Sequence, residues 1–215
     1  MPITAVYATK GGQGVTTTAA ALAILTAQTG KRTLLIDTTG DLAAILNTTA
    51  DHTEPGLAEY LEPASPLGID RISSPVTENL DIIHRGTGPI TFSTYTYGLL
   101  TGGLDHYDHV IIDTTDHAYA WTLDVDHRVL VTRACYLALR RASFTPPPTA
   151  IVLINEPGRA LNAVDIETVI GMPITATIPY TDTIARAVDA GLLTTRLPRE
   201  LARALRHLVT TLDAR

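Results

Sequence analysis

The stretch Ala8–Thr18, ATKGGQGVTTT, sets a lysine and three glycines ahead of a run of threonines. Gly11, Gly12 and Gly14 leave the backbone bare, so its N–H groups can close around a phosphate chain. The helix expected to follow adds partial positive charge at its N-terminus. Thr16, at the start of that helix, offers a hydroxyl to Mg²⁺. Two aspartates, Asp37 and Asp113, each end an apolar run, TLLID and HVIID. A carboxylate at the end of a buried strand stands where open α/β sheets hold their ligands, and Asp113 there can hold the water shell of Mg²⁺. The chemistry these residues suit is nucleotide phosphate binding, with phosphoryl transfer as the reaction it would serve.

These side chains need strands and helices in alternation to bring them together. Apolar runs predict strands at 3–8, 33–37, 80–84, 109–113, 128–132, 149–154 and 174–178. Helices are expected at 16–29, 41–47, 94–103, 136–142, 162–170, 182–190 and 198–213. Near-continuous runs such as Val110-Ile111-Ile112 and Ile151-Val152-Leu153-Ile154 suit strands covered on both faces. The alternation predicts an α/β fold with a mainly parallel twisted sheet and helices on both faces, as one domain over 1–215. Region 48–79 has scattered proline, glycine and charge and is expected to hold a short helix at Gly56–Leu61 and a mobile loop. Pro146-Pro147-Pro148 reads as a short rigid connector before a strand.

Composition narrows the setting. The 215 residues are 45% hydrophobic with a formal net charge of −6, ordinary for a globular chain with a large core and wrong for one that is basic all over. No apolar run is long enough for a membrane span, and the N-terminus carries no basic n-region of a signal peptide. The single cysteine, Cys135, excludes an internal disulfide, suits a reducing cytoplasm, and is expected to be small and buried. His106, His109 and His117 surround one strand but lack the spacing of a helical metal pair, and read as surface or loop histidines. Lysine is scarce, with only Lys10 and Lys31 present.

The glycine-rich turn departs from the common P-loop, G-x-x-x-x-G-K-[ST], because Val15 stands at the lysine position and Thr9 at the first glycine. A lysine directly before Gly-Gly resembles the deviant P-loop of the ParA/MinD family, K-G-G-x-G-K-[ST]-[ST], matched at Lys10, Gly11, Gly12, Gly14, Thr16 and Thr17. The resemblance implies an ATPase that binds ATP and Mg²⁺ through Lys10, Gly11, Gly12, Gln13, Gly14, Val15, Thr16 and Thr17. It implies that Lys10 reaches the nucleotide of the partner subunit in a sandwich dimer. Lys31–Asp37 is similar to the family's second strand, G-K-R-V-L-L-I-D-x-D-P-Q. Asp37 matches the first aspartate, with a helix cap as the plainer reading. Thr39 replaces the second aspartate, which helps set the attacking water, and Asp41 substitutes for it if the loop shifts by two residues. Tyr107–Thr115 resembles the Walker B element, with Asp113 toward Mg²⁺, and Thr115 and Asp116 replace its two prolines. Arg128–Thr132 resembles the strand leading to the dimer face. Asn155 matches an asparagine that reads the adenine edge, or else simply makes the turn before Pro157. Ile174–Pro179 resembles the late strand whose following loop lies over the base.

The C-terminal segment carries two stripes. Leu197, Leu201, Leu205, Leu208 and Leu212 recur at helical spacing, as do Arg196, Arg199, Arg203 and Arg206, with Arg186 upstream. Arginines on one helical face can contact DNA phosphates without reading sequence. A solvated amphipathic face and, less suitably, a membrane surface are the other readings. The resemblance favours non-specific DNA, since ParA proteins bind it through basic C-terminal residues. It implies a small partition protein of the plasmid or phage type, dimeric or filamentous and nucleoid-associated. Its operator binding is left to a small centromere-binding partner, because the short N-terminus has no room for a further DNA-binding domain. Val15 and Thr39 imply weak or conditional hydrolysis. A non-catalytic scaffold and a membrane-surface positioning protein are the alternatives.

Overall fold

The structure is a computed structural model and describes residues 1–48, 54–114 and 117–213. Among these, eight strands form one sheet: β1 (Ile3–Tyr7), β2 (Thr33–Asp37), β3 (Ser73–Thr77), β4 (Leu80–Ile83), β5 (His109–Asp113), β6 (His127–Arg133), β7 (Ala150–Asn155) and β8 (Ala176–Pro179). Their order is β3-β4-β2-β5-β1-β6-β7-β8. All neighbours are parallel except the edge pair β3 and β4.

The continuous apolar runs divide residue by residue between the two faces, as the twofold period of a strand requires. Val6, Leu35 and Ile111 point into one core, while Ala5, Tyr7, Leu34, Ile36, Val110 and Ile112 point into the other. The first core is closed by α1 (Val15–Ala27), α2 (Leu42–Leu46), α9 (Asp182–Asp189) and α10 (Arg199–Asp213). The second is closed by α3 (Leu57–Tyr60), α4 (Ile69–Ile72), α5 (Thr94–Thr101) and α6 (His117–Thr122). Helices α7 (Tyr136–Ala142) and α8 (Ala163–Ile170) cover β6 and β7 through Leu139, Ile151, Leu153 and Ile166.

Helix α1 is buried almost all round, because it lies between the sheet and α10. Its alanines permit that close approach. The leucine stripe of α10 meets it from outside: Leu201, Leu205 and Leu208 are fully buried, while Arg199, Arg203 and Arg206 are exposed. The end of α10 is tied to the sheet. Asp213 Oδ1 lies 2.7 Å from Lys31 Nζ and 3.3 Å from His109 Nδ1, and His109 Nε2 lies 3.0 Å from Thr4 Oγ1.

The expected fold class and element order hold, with three additions and two corrections. Helix α4 and strand β3 fall in the region read as a short helix and a loop, and α6 was not expected. Pro75 lies in β3, an edge strand that tolerates a missing N–H. The short helix of that region is present as α3, and residues 49–53 lie outside the described residues. His109 is neither at the surface nor in a loop. It is 1% exposed, because the end of α10 closes over the start of β5. Cys135 is only partly buried, since it precedes α7 at the rim of the sheet. Hydrogen bonding from the Ala138 N–H, with Lys10 and Arg159 nearby, holds its thiol below the usual range despite some burial.

Candidate nucleotide site and basic face

Strand β1 is central, and its flanking strands β5 and β6 are joined across it, so the chain reverses direction of travel at its carboxyl end. That reversal opens a crevice at the strand ends. Residues 8–14 fill it. Gly12 and Gly14 have φ of +74° and +93°, values costly for any residue with a Cβ. Gly14 also packs against Ile154, whose Cγ1 would be 3.4 Å from an added Cβ. The turn then enters α1, where the Thr18 N–H and hydroxyl both donate to the Gly14 carbonyl, at 3.0 and 2.8 Å.

The turn is braced from β6 and α7. Buried Gln13 accepts from the Arg133 N–H at 2.9 Å through Oε1. Thr9 Oγ1 donates to the Ala138 carbonyl at 2.8 Å, and Arg141 Nη1 donates to the Thr9 carbonyl at 3.3 Å. Gln13 therefore spends its side chain on holding the loop. Lys10 is partly exposed, its Nζ 3.5 Å from the Gly11 carbonyl. Val15 is 5% exposed and belongs to the core, so the position that carries a cation in the common P-loop instead carries an apolar side chain turned into packing.

The two strand-end aspartates face each other. Asp37 and Asp113 are register partners on β2 and β5, 1% and 0% exposed. Their roles differ. Asp37 Oδ1 accepts from the N–H groups of Thr39 and Gly40, at 2.8 and 2.7 Å, and Oδ2 accepts from Leu42 at 3.1 Å. Asp37 thus folds the loop that leads into α2. The Thr39 hydroxyl sits between the acids, 3.0 Å from Asp37 Oδ1 and 3.2 Å from Asp113 Oδ2, with one proton to give to either. Thr38 clamps the same loop by donating to the Asp113 carbonyl at 2.7 Å. Asp41 is exposed at the start of α2.

Asp113 Oδ1 is buried with no hydrogen-bond partner. Burial, with the nearby Asp37 charge, pushes its carboxyl up to about 7, while the Thr16 and Thr39 hydroxyls beside it act in the other direction. A buried carboxylate oxygen without a donor is expensive, and a hard divalent cation is the natural remedy for such a group beside a threonine hydroxyl. The residues therefore fit Mg²⁺, with Thr16 and Asp113 as the groups that would hold it. When bound, the ion would neutralise charge on phosphate oxygens.

Beside the turn lies a cavity of about 220 Å³ lined by Gly14, Thr17, Ile154, Pro179, Tyr180 and Arg133, among others. Asn155 closes β7 at its rim, exposed, with its carbonyl accepting from Tyr180 N–H at 3.0 Å. Lys10, Gly11, Gly12, Gln13, Gly14, Thr16, Thr17, Asp37, Asp113 and Asn155 thus converge on the strand ends. Thr115 and Asp116 lie outside the described residues. Sequence reasoning passed over the brace from Gln13 to β6, the bridging role of Thr39, and Arg133. Only the arginine at the end of the run RVLVTR signalled the last of these.

Arg186, Arg196, Arg199, Arg203 and Arg206 are all exposed and lie away from this crevice, on α9, α10 and the segment between. Arg196, Arg199, Arg203 and Arg206 line one open groove, and Arg186, Arg196 and Arg199 line the next. Arg186 pairs with Asp182 at 3.4 Å, both groups exposed. Among the described residues the other four make no ion pair, so their charge faces solvent.

The architecture is shared with known nucleotide-binding proteins. A ParA family ATPase from Chlorobium tepidum superposes with a TM-score of 0.75 at 23% identity, covering 97% of this chain and 98% of that one. The septum site-determining protein MinD from Pyrococcus horikoshii, complexed with Mg-ADP, gives 0.78 at 19% identity over 99% and 96%. A Borrelia burgdorferi protein described as a plasmid partition protein, bound to AMPPNP, gives 0.70 at 18% identity over 98% of each chain. No curated protein matches the sequence. Residues 4–194 match the family described as the CobQ/CobB/MinD/ParA nucleotide binding domain, and the chain belongs to that family.

Proposed function

We propose that this chain is a ParA-like partition protein that binds ATP with Mg²⁺, assembles on DNA in the nucleotide-bound form and hydrolyses ATP slowly. The observation that carries the nucleotide reading is the unpartnered, buried Asp113 Oδ1 beside Thr16 at the mouth of the glycine turn. Gly11, Gly12, Gly14, Thr16 and Thr17 present backbone and hydroxyl groups to the phosphates, and Asn155 meets the base. Lys10, partly exposed at the tip of the turn, reaches the nucleotide of a second copy in a sandwich dimer, from which a filament can grow. Asp37 and Asp41 shape and charge the loop nearest the attacked phosphate. Arg186, Arg196, Arg199, Arg203 and Arg206 form the face for non-specific DNA. A small centromere-binding protein supplies sequence recognition, and the cytoplasmic nucleoid is the working place.

Slow turnover follows from two substitutions. Val15 contributes no charge, and Thr39 can orient a water but cannot take its proton. Single electrostatic donors elsewhere contribute roughly 2.7–4 kcal/mol to a transition state, so losing two suppresses hydrolysis strongly while leaving backbone contacts in place. The burial of Val15 favours one second reading, a scaffold that works without nucleotide.

The test uses purified protein with ATP and Mg²⁺, with and without DNA, following bound nucleotide, phosphate release and sedimentation together. Retained ATP with little release, and ATP-dependent co-sedimentation with DNA that Lys10→Ala abolishes, is the expected result. Absence of bound nucleotide under every condition would leave the scaffold reading. Co-sedimentation with anionic liposomes in place of DNA would point to membrane-surface positioning.

A further inference from the structure

Replacing a P-loop lysine by a core valine leaves a polyphosphate short of positive charge, and two guanidinium groups lie near the loop that lost it: Arg141, spent on the Thr9 carbonyl, and Arg133, which lines the cavity beside Gly14 and Thr17. Arg133 ends β6, the strand beside β1. Its backbone N–H holds Gln13 of the glycine turn at 2.9 Å, and its side chain lines the cavity that Gly14 and Thr17 share. Among the described residues lining that cavity, Arg133 is the one cation. Its guanidinium is fixed in place: the central carbon sits 5.2 Å from the centroid of the Tyr180 ring, and Nη1 lies 3.3 Å from Glu156 Oε2. Its Nε is buried with no partner. Glu156 is held more closely by Arg159, at 2.7 and 3.1 Å. One carboxylate thus serves two guanidinium groups, which leaves that trio with one positive charge over; Asp189 is the acidic group among the described residues lining the cavity.

On the nucleotide-binding reading above, we propose that Arg133 supplies from β6 the cation that Val15 withholds, its guanidinium meeting a phosphate oxygen of a bound nucleoside polyphosphate from the cavity it lines. Arginine suits the task where lysine would not. Its planar fork can keep Glu156 on one edge and donate to a phosphate on another, and it stays charged against an aromatic face. The contact comes from a different strand than the glycine turn, so it ties the phosphates to the β6–α7 connection and to the loop that carries Tyr180.

Calorimetric titration of ATP and of inorganic tripolyphosphate into wild type, Arg133→Ala, Arg133→Gln and the double variant Val15→Lys with Arg133→Ala tests this, with circular dichroism to confirm each fold. Loss of a charge-assisted hydrogen bond predicts binding of both ligands weakened by roughly 10- to 100-fold in Arg133→Ala and Arg133→Gln. Lysine at position 15 is expected to recover most of that loss in the double variant. Unchanged affinity in both single variants overturns the proposal while sparing the nucleotide reading. So does a folded double variant that recovers nothing, because Arg133 would then be shaping the pocket rather than meeting charge. Wild-type protein that binds neither ligand overturns both.

Discussion

Asp113→Asn should make the ligand-free protein more stable at mildly alkaline pH, although it removes a group placed to hold Mg²⁺. The carboxyl is raised from 3.8 to about 7 in the folded state, chiefly by burial and then by the facing Asp37 charge. Below the unfolded value both states carry the proton and the group contributes nothing to pH dependence. Between 3.8 and about 7 the unfolded chain ionises first, so the folded state binds more protons and loses stability as pH rises. Above the folded value the loss is complete. A shift of three units corresponds to about 4 kcal/mol. Asparagine has nearly the same shape and no charge to desolvate, and most of that penalty should disappear. With a urea slope of about 2–3 kcal/mol/M, the variant's midpoint at pH 8 should exceed wild type by roughly 1–2 M, and the two should converge toward pH 4. Adding ATP with Mg²⁺ should raise the wild-type midpoint at pH 8 and leave the variant's nearly unmoved. A variant no more stable than wild type at pH 8, or a difference that does not shrink on acidification, would refute the reasoning.

Asp37→Ala should act in the opposite direction, destabilising the ligand-free protein by about 3–5 kcal/mol in urea titration, because three N–H groups of the loop into α2 lose a buried charged acceptor. His109 is buried against Thr4 and Asp213, and burial lowers its pKa more than Asp213 raises it, with His127 and Lys31 lowering it further. The unfolded chain therefore protonates first as pH falls below about 6.5, stability drops in that window, and His109→Gln should flatten the drop relative to wild type. If the exposed arginines contact DNA phosphates, changing Arg199, Arg203 and Arg206 together to alanine should reduce the slope of log affinity against log salt by about 2–3, roughly 0.9 per contact, as read by fluorescence anisotropy on unrelated duplexes. An unchanged slope would return those residues to the role of a solvated helix face.

Much of the fold could be read from local pattern. Runs such as VIID and IVLIN are apolar without alternation, so both faces of the sheet had to be covered. The α/β class follows from that, and the glycine turn announces its own position between strand and helix. The leucine and arginine stripes of α10 likewise separate a packed face from a wet one. Elements whose signals are weak were harder to see. Helix α4 and strand β3 are short, and Pro75 argues against a strand until β3 is known to lie at an edge. Helix α6 is held by tertiary contacts that sequence does not display: Arg128 donates to the carbonyls of Ala120, Leu123 and Val125 and stacks over Trp121.

The site divides along the same line. Sequence alone determined which chemistry was available: glycines where side chains would block a phosphate, Thr16 and Asp113 for a hard cation, and no lysine at position 15. These are properties of residue type and spacing, and they survive any arrangement that puts the turn between β1 and α1. Only the tertiary structure decided how the groups share the work. Asp37 and Asp113 look alike in sequence, yet parallel register sets them face to face and a local loop saturates one while leaving an oxygen of the other without a donor. Val15 is one substitution in a motif until packing turns it into the core. Arg133 stands more than a hundred positions from the glycine turn and becomes its neighbour because β6 pairs with β1. Hydrogen-bond saturation, burial and cross-strand proximity depend on which strands are adjacent, and adjacency in a parallel sheet is set by crossovers that local sequence does not encode.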